Sequence, residues 1–133
     1  MSDLPDLAVV MPFAATLGVR IVAADKDEVS GQLDWQPDRT TGGGVLHGGA
    51  IMALADSVAA VCAVLNLPPG ATTSTTLSTT LFLRAVRGGT LTAVARPLHV
   101  GRTNIVVRTA LTDDDGRLAA EVTQTQAVLV PRQ

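Results

Sequence analysis

One carboxylate, Asp56, lies inside a long apolar run, and nine positions before it His47 stands between two groups of glycines. Residues 41–67 read TGGGVLHGGAIMALADSVAAVCAVLNL. A charged side chain among apolar neighbours is costly without a partner. A carboxylate can also take a proton or attack an electrophile. Glycines at 48 and 49 let another group approach the backbone closely. Cys62, the single cysteine, sits deeper in the same run. It reads as a small buried apolar residue, not as a nucleophile, and one cysteine forms no intramolecular disulfide.

The element that must carry these groups is a helix. Residues 50–65 are rich in Ala, Leu and Met, with Asp56 and Ser57 as the only polar residues. Ile51, Leu54, Ala55, Val58, Val61, Cys62 and Leu65 follow an i, i+3, i+4, i+7 series. The opposite face, with Ala53, Ala59, Ala60 and Val64, is nearly as apolar. A helix apolar all round is buried or in a membrane. A span needs about 20 apolar residues without a central charge, so the sequence predicts a buried central helix and no membrane. It should start near Gly48-Gly49 and end by Asn66 or Leu67, ahead of Pro68-Pro69.

Around it, the sequence reads as strands. A leader, residues 1–16, suggests short helical turns broken at Pro12. Residues 17–24 and 29–35 form two strands about a polar turn. Residues 71–84 are Thr-rich and β-branched. Residues 90–100 and 103–112 flank Gly101-Arg102, and Asp113-Asp114-Asp115-Gly116 is a hairpin turn before residues 117–130. The expectation is one α+β domain over residues 1–133: an antiparallel sheet of about five or six strands wrapped around the helix. The four late strands, joined by short turns, should pair in antiparallel fashion. One sheet face and the edges stay open, which favours a second copy.

Composition narrows the function. The chain has 133 residues, 47% hydrophobic, with a net charge of -2 and 2% aromatics. That balance gives no electrostatic or stacking basis for nucleic acid. Asp3 and Asp6 without a basic start argue against a signal peptide and fit a cytoplasmic protein. No Cys/His/Asp set has metal-ligand spacing, and no phosphate loop ends in Lys-Ser/Thr.

The string Gly43-Gly44-Val45-Leu46-His47-Gly48-Gly49, with Asp56 nine residues after the histidine, resembles the hotdog-fold acyl-CoA thioesterases. The subgroup it is most similar to is the phenylacetate-degradation and 4-hydroxybenzoyl-CoA type. The resemblance extends from Pro12-Phe13 and Leu17-Gly18-Val19 to Gly101-Arg102 and Gly116-Arg117. It implies a hotdog fold, an acyl-CoA substrate with no separate cofactor, and a homodimer or homotetramer. By position it implies Asp56 as the catalytic acid and the Gly48 N–H as the donor to the thioester oxygen. His47 would shape that turn, Ser74 would be an assisting hydroxyl, and Gly101-Arg102 would lie near the CoA phosphates. Gly49 and Thr41 complete the substrate contacts. Many members carry Asn or Gln at the position of Thr41, a departure in this chain.

Hydrolysis of a thioester needs an oxyanion stabiliser and activated water. A helix start supplies unpaired N–H groups and a positive dipole end, and Asp56 could act as general base or as nucleophile. Gly48 and Asp56 are eight positions apart, roughly 12 Å along one helix, too far to share one carbonyl carbon. Two chains with antiparallel helices would bring them together. Ile51, Leu54, Val58, Leu77 and Leu81 are the expected aliphatic walls. Two other classes remain open: a hotdog-fold enoyl-CoA hydratase or dehydratase, and a non-catalytic acyl-CoA-binding module.

Overall fold

A computed structural model describes residues 4–132. The chain opens with two short helices, α1 (Leu7–Val10) and α2 (Pro12–Leu17), and the first three residues of the leader lie outside the described range. Pro12 separates the two because its missing N–H is tolerated at a helix start. Strands β1 (Arg20–Ala24) and β2 (Val29–Asp34) follow, then a short 3-10 turn (Pro37–Arg39). The long helix α3 spans Gly48–Leu65. Four strands complete the chain: β3 (Thr72–Phe82), β4 (Thr90–Val100), β5 (Asn104–Thr112) and β6 (Leu118–Leu129).

All six strands form one antiparallel sheet in the order β1-β2-β4-β5-β6-β3. With α3 on one face, this is the α+β architecture expected from the sequence. One detail differs. The segment around Arg87-Gly88-Gly89 does not join neighbouring strands: β3 crosses over to pair with β6, from Thr72 opposite Leu129 to Phe82 opposite Ala120. A turn signal marks where a chain reverses, but the partner depends on which apolar faces meet α3. The eleven-residue β3 therefore forms a sheet edge, with β1 at the other.

The core lies between α3 and the sheet face carrying Leu33, Leu91, Ile105, Val107, Leu111 and Val122. Leu54 and Val58 of α3 are fully enclosed, each worth on the order of 2 kcal/mol. Gly31 of β2 makes the closest helix–sheet approach: a Cβ there would stand 2.6 Å from Val58 Cγ2. The helix passes the length and hydropathy test for a membrane span, yet ten of its residues are buried against the rest of the chain.

It is not buried on every side, contrary to the sequence expectation. Gly49, Met52, Asp56 and Val64 are exposed, and they recur at helical spacing as one stripe along α3. Composition alone hides this, because Met and Val on an uncovered stripe look the same as Met and Val in a core.

Candidate functional site

The loop into α3 is tied at several points. Trp35 Nε1 donates to Gly44 O at 2.9 Å and Arg87 Nη1 to Gly43 O at 3.3 Å. The N–H of Leu46 donates to Val86 O and that of His47 to Arg39 O. Thr41 closes the Gly42–Gly44 turn, donating to Val45 O and accepting from the Gly44 N–H. These bonds fix where α3 begins.

His47 is the N-cap: its Nδ1 accepts from the Gly49 N–H at 2.8 Å. Nδ1 therefore carries no proton in this arrangement, and any imidazole hydrogen is on Nε2. The cap consumes the Gly49 donor, while Ala50 and Ile51 donate to His47 O. The Gly48 N–H takes no acceptor among the described residues. It opens into a groove of about 360 Å³ lined by Thr41, Ile51, Phe82 and Leu83, among others. A Cβ on Gly48 would meet Phe82 Cζ at 3.3 Å, so a side chain at 48 would narrow the approach to that N–H.

Asp56 is exposed in the single chain. Gln124 Nε2 donates to Asp56 Oδ1 at 2.8 Å and reaches Ser78 Oγ at 3.3 Å. Gln126 Nε2 donates to Gln124 Oε1 at 2.9 Å. Gln126 Oε1 accepts from Thr75 Oγ1 at 3.0 Å; the Thr73 hydroxyl, 3.4 Å from it, donates to the closer Ala127 O at 2.8 Å. Both glutamines are enclosed, at 2% and 1% exposure. The sequence reading passed over them. A signal existed: Val122, Gln124 and Gln126 share one strand face, so two amides fall in line with core positions.

The other sequence candidates are placed as follows. Ser74 pairs with Ala127 on the sheet face away from α3, so its hydroxyl and Asp56 are on opposite sides; Ser78, paired with Gln124, is the hydroxyl on the Asp56 side. Gly101-Arg102 forms the β4–β5 turn, with the Gly101 N–H on Asn104 O at 2.8 Å. Asn104 pairs with Ala127, seven residues along β6 from the Ala120–Phe82 pair beside Gly48, or about 23 Å. Of the expected aliphatic walls, Leu54 and Val58 are core, and Leu77 and Leu81 point outward from β3. Ile51 alone of that set lines the Gly48 groove. Periodicity puts apolar residues on faces without saying which face holds a ligand.

Burial pushes the Cys62 thiol up to about 11, with Asp25 and Asp27 adding to the shift, which keeps it a thiol at neutral pH. Among the described residues no three of His, Cys, Asp and Glu are grouped to hold a metal. Gly48 and Asp56 are eight positions apart on α3, about 12 Å, so one chain presents an unpaired amide and a tethered carboxylate at separate points.

Comparison with known proteins places the chain in a family. The model of the thioesterase superfamily matches residues 43–120, and the chain belongs to that superfamily. The Putative esterase Rv1847 of Mycobacterium tuberculosis is 32% identical over 117 residues, covering 86% of this chain and 84% of that protein. Its solved structure aligns with a TM-score of 0.88 over 92% of this chain and all of that one, at 29% identity. A mutant of thioesterase PA1618 from Pseudomonas aeruginosa aligns with a TM-score of 0.86 at 29% identity over 96% of each chain. The 1,4-dihydroxy-2-naphthoyl-CoA hydrolase of Listeria monocytogenes is 27% identical over 108 residues, 81% of this chain and 88% of that protein. The hotdog fold and a thioesterase class of chemistry follow; the resemblance read from the glycine–histidine string and Asp56 agrees with both.

Proposed function

We propose that the protein hydrolyses acyl-CoA thioesters at a site shared by two copies of the chain. The observation that carries this reading is the exposed stripe of α3, with a free Gly48 N–H at one end and Asp56, held by Gln124, eight residues on. Two antiparallel α3 helices about a two-fold axis bring Gly48 of one chain to Asp56 of the other. Residue 52 is midway between 48 and 56, so Met52 lies at the axis; its 42% exposure in the single chain is surface such a contact would cover. The open edge of β3 offers the same partner a strand to pair with.

In this site the thioester oxygen rests on the Gly48 N–H, a donor worth roughly 3 kcal/mol to a developing oxyanion. Asp56 takes the proton of a water that attacks the carbonyl carbon, worth about 100- to 10,000-fold. The C–S bond breaks and CoA leaves, with its thiolate taking up the proton. Direct attack by Asp56 through an anhydride is the other route. The acyl group enters the groove of Thr41, Gly48, Ile51 and Phe82. The Listeria relative's name gives it a CoA thioester as substrate, which favours CoA here.

The test is a panel of acetyl-, hexanoyl-, phenylacetyl-, benzoyl- and crotonyl-CoA, followed for free thiol and for loss of the enoyl chromophore. Thiol release that falls more than about 100-fold in Asp56→Asn supports the reading. Hydration of crotonyl-CoA without thiol release, or tight binding without turnover, overturns it.

A further inference from the structure

Asp56 is the last acceptor of a hydrogen-bond chain with one direction. The Thr75 hydroxyl donates to Gln126 Oε1, Gln126 Nε2 donates to Gln124 Oε1, and Gln124 Nε2 donates to Asp56 Oδ1. Each amide has its oxygen committed upstream and its nitrogen downstream. Turning the Gln124 amide over would set its oxygen against the Asp56 carboxylate and its NH2 against that of Gln126, losing both bonds. Enclosure at 2% and 1% leaves little water to compensate for such a flip.

We infer that Gln124 is a positioning residue for Asp56: Gln126, itself held by Thr75, locks the Gln124 amide so that its nitrogen faces the carboxylate and donates. This rests on the function proposed above. The tether occupies Oδ1 and fixes the carboxylate on the exposed stripe, leaving Oδ2 for water or substrate. The charged and titratable residues of the strands packed on α3 (Arg20, Asp34, Arg96, His99, Arg108 and Glu121) project from the opposite sheet face, and β3, α1 and α2 carry none. In the proposed dimer, the group added beside Asp56 is the partner's His47.

Three variants separate positioning from general support. Gln124→Met keeps the length and removes the donor. Gln126→Met leaves the Gln124–Asp56 bond but unlocks the amide. Ser78→Ala removes the side contact. Gln124→Met should lower kcat about 10- to 100-fold with KM nearly unchanged. Gln126→Met should do the same more weakly, and Ser78→Ala least. In an Asp56→Asn background, Gln124→Met should add no further loss. Crystal structures of the Gln124 and Gln126 variants should show the Asp56 carboxylate displaced or in more than one rotamer. An equal loss from Gln124→Met in the Asp56→Asn background, a KM that rises as far as kcat falls, or an Asp56 held in place without the amide overturns the inference. Full turnover in Asp56→Asn alone would sink the proposed function instead, and the crystal structures would still decide whether the tether exists.

Discussion

Replacing Gly31 by alanine should move the whole of α3. A Cβ at 31 would lie 2.6 Å from Val58 Cγ2 and 3.1 Å from Arg20 O. Carbon atoms pack best at about 3.5–4.0 Å, so roughly 1 Å must open between β2 and the helix. Overpacking of that size costs about 1–3 kcal/mol. Against it stands the gain of about 0.4–1 kcal/mol from a less flexible unfolded chain, so the overlap wins and net destabilisation is about 1–2 kcal/mol. For a chain of this length that is a fall of roughly 3–10 °C in Tm. Asp56 is two residues before Val58 on the same helix, and a shift of about 1 Å would stretch its 2.8 Å bond to Gln124 beyond hydrogen-bonding range. Activity should therefore fall beyond what unfolding explains. The assay is thermal unfolding at fixed protein concentration, with thioester turnover well below Tm. The second arm is the cycle with Val58→Ala, which removes the methyl in the way. The double variant should recover about 1 kcal/mol relative to the sum of the single losses. A Gly31→Ala protein as stable as wild type, or losses that simply add, would refute the close approach as the reason for glycine at 31.

The β5–β6 turn carries a pH dependence. The Arg117 backbone N–H, then the Asp115 N–H and the Arg117 guanidinium, hold the Asp113 carboxyl below its ordinary value of 3.8. A depressed folded value means that this stabilisation is present above the unfolded value and lost as pH falls through the folded one. Denaturant titrations of wild type and Asp113→Asn should then differ by a constant amount from pH 7 to about 5 and converge in more acidic solution; divergence on acidification would contradict the sign. Thr109 is fully enclosed, and its Oγ1 has no partner among the described residues. Thr109→Val should leave the fold intact and raise stability by about 1 kcal/mol in a denaturant melt, whereas a loss of that size would reveal a hydrogen bond.

Much of this arrangement is legible in the residues. The Ala-rich run after Gly48-Gly49 and before Pro68-Pro69 defines α3 to within two residues at either end. Alternation at Val29, Gly31 and Leu33 marks the inner face of β2. What stayed hidden depends on assembly of the chain. Arg87-Gly88-Gly89 signals a reversal in the same way whether β3 pairs with β4 or with β6, and only the shared core face selects β6. The exposed stripe of α3 is invisible because its apolar residues match those buried behind it. Ser74 and Ser78 look alike in a Thr/Ser-rich strand until register puts Ser78 opposite Gln124. Gln124 was missed because its role comes from a bond to a residue 68 positions away.

Mixed dimers show whether Gly48 of one chain and Asp56 of another make one site. Gly48→Pro removes the N–H at the first helical position, where proline is tolerated, and His47 before it already has the extended backbone that proline requires (φ −61°, ψ 134°). The Cβ of that proline would stand 3.3 Å from Phe82 Cζ. Chains carrying Gly48→Pro and chains carrying Asp56→Asn, differently tagged, are co-expressed and the doubly tagged species isolated. Both parent proteins should be inactive and the mixed dimer should show about half the wild-type turnover per dimer, since one of its two sites has both groups intact. Mixed dimers as inactive as their parents would contradict it.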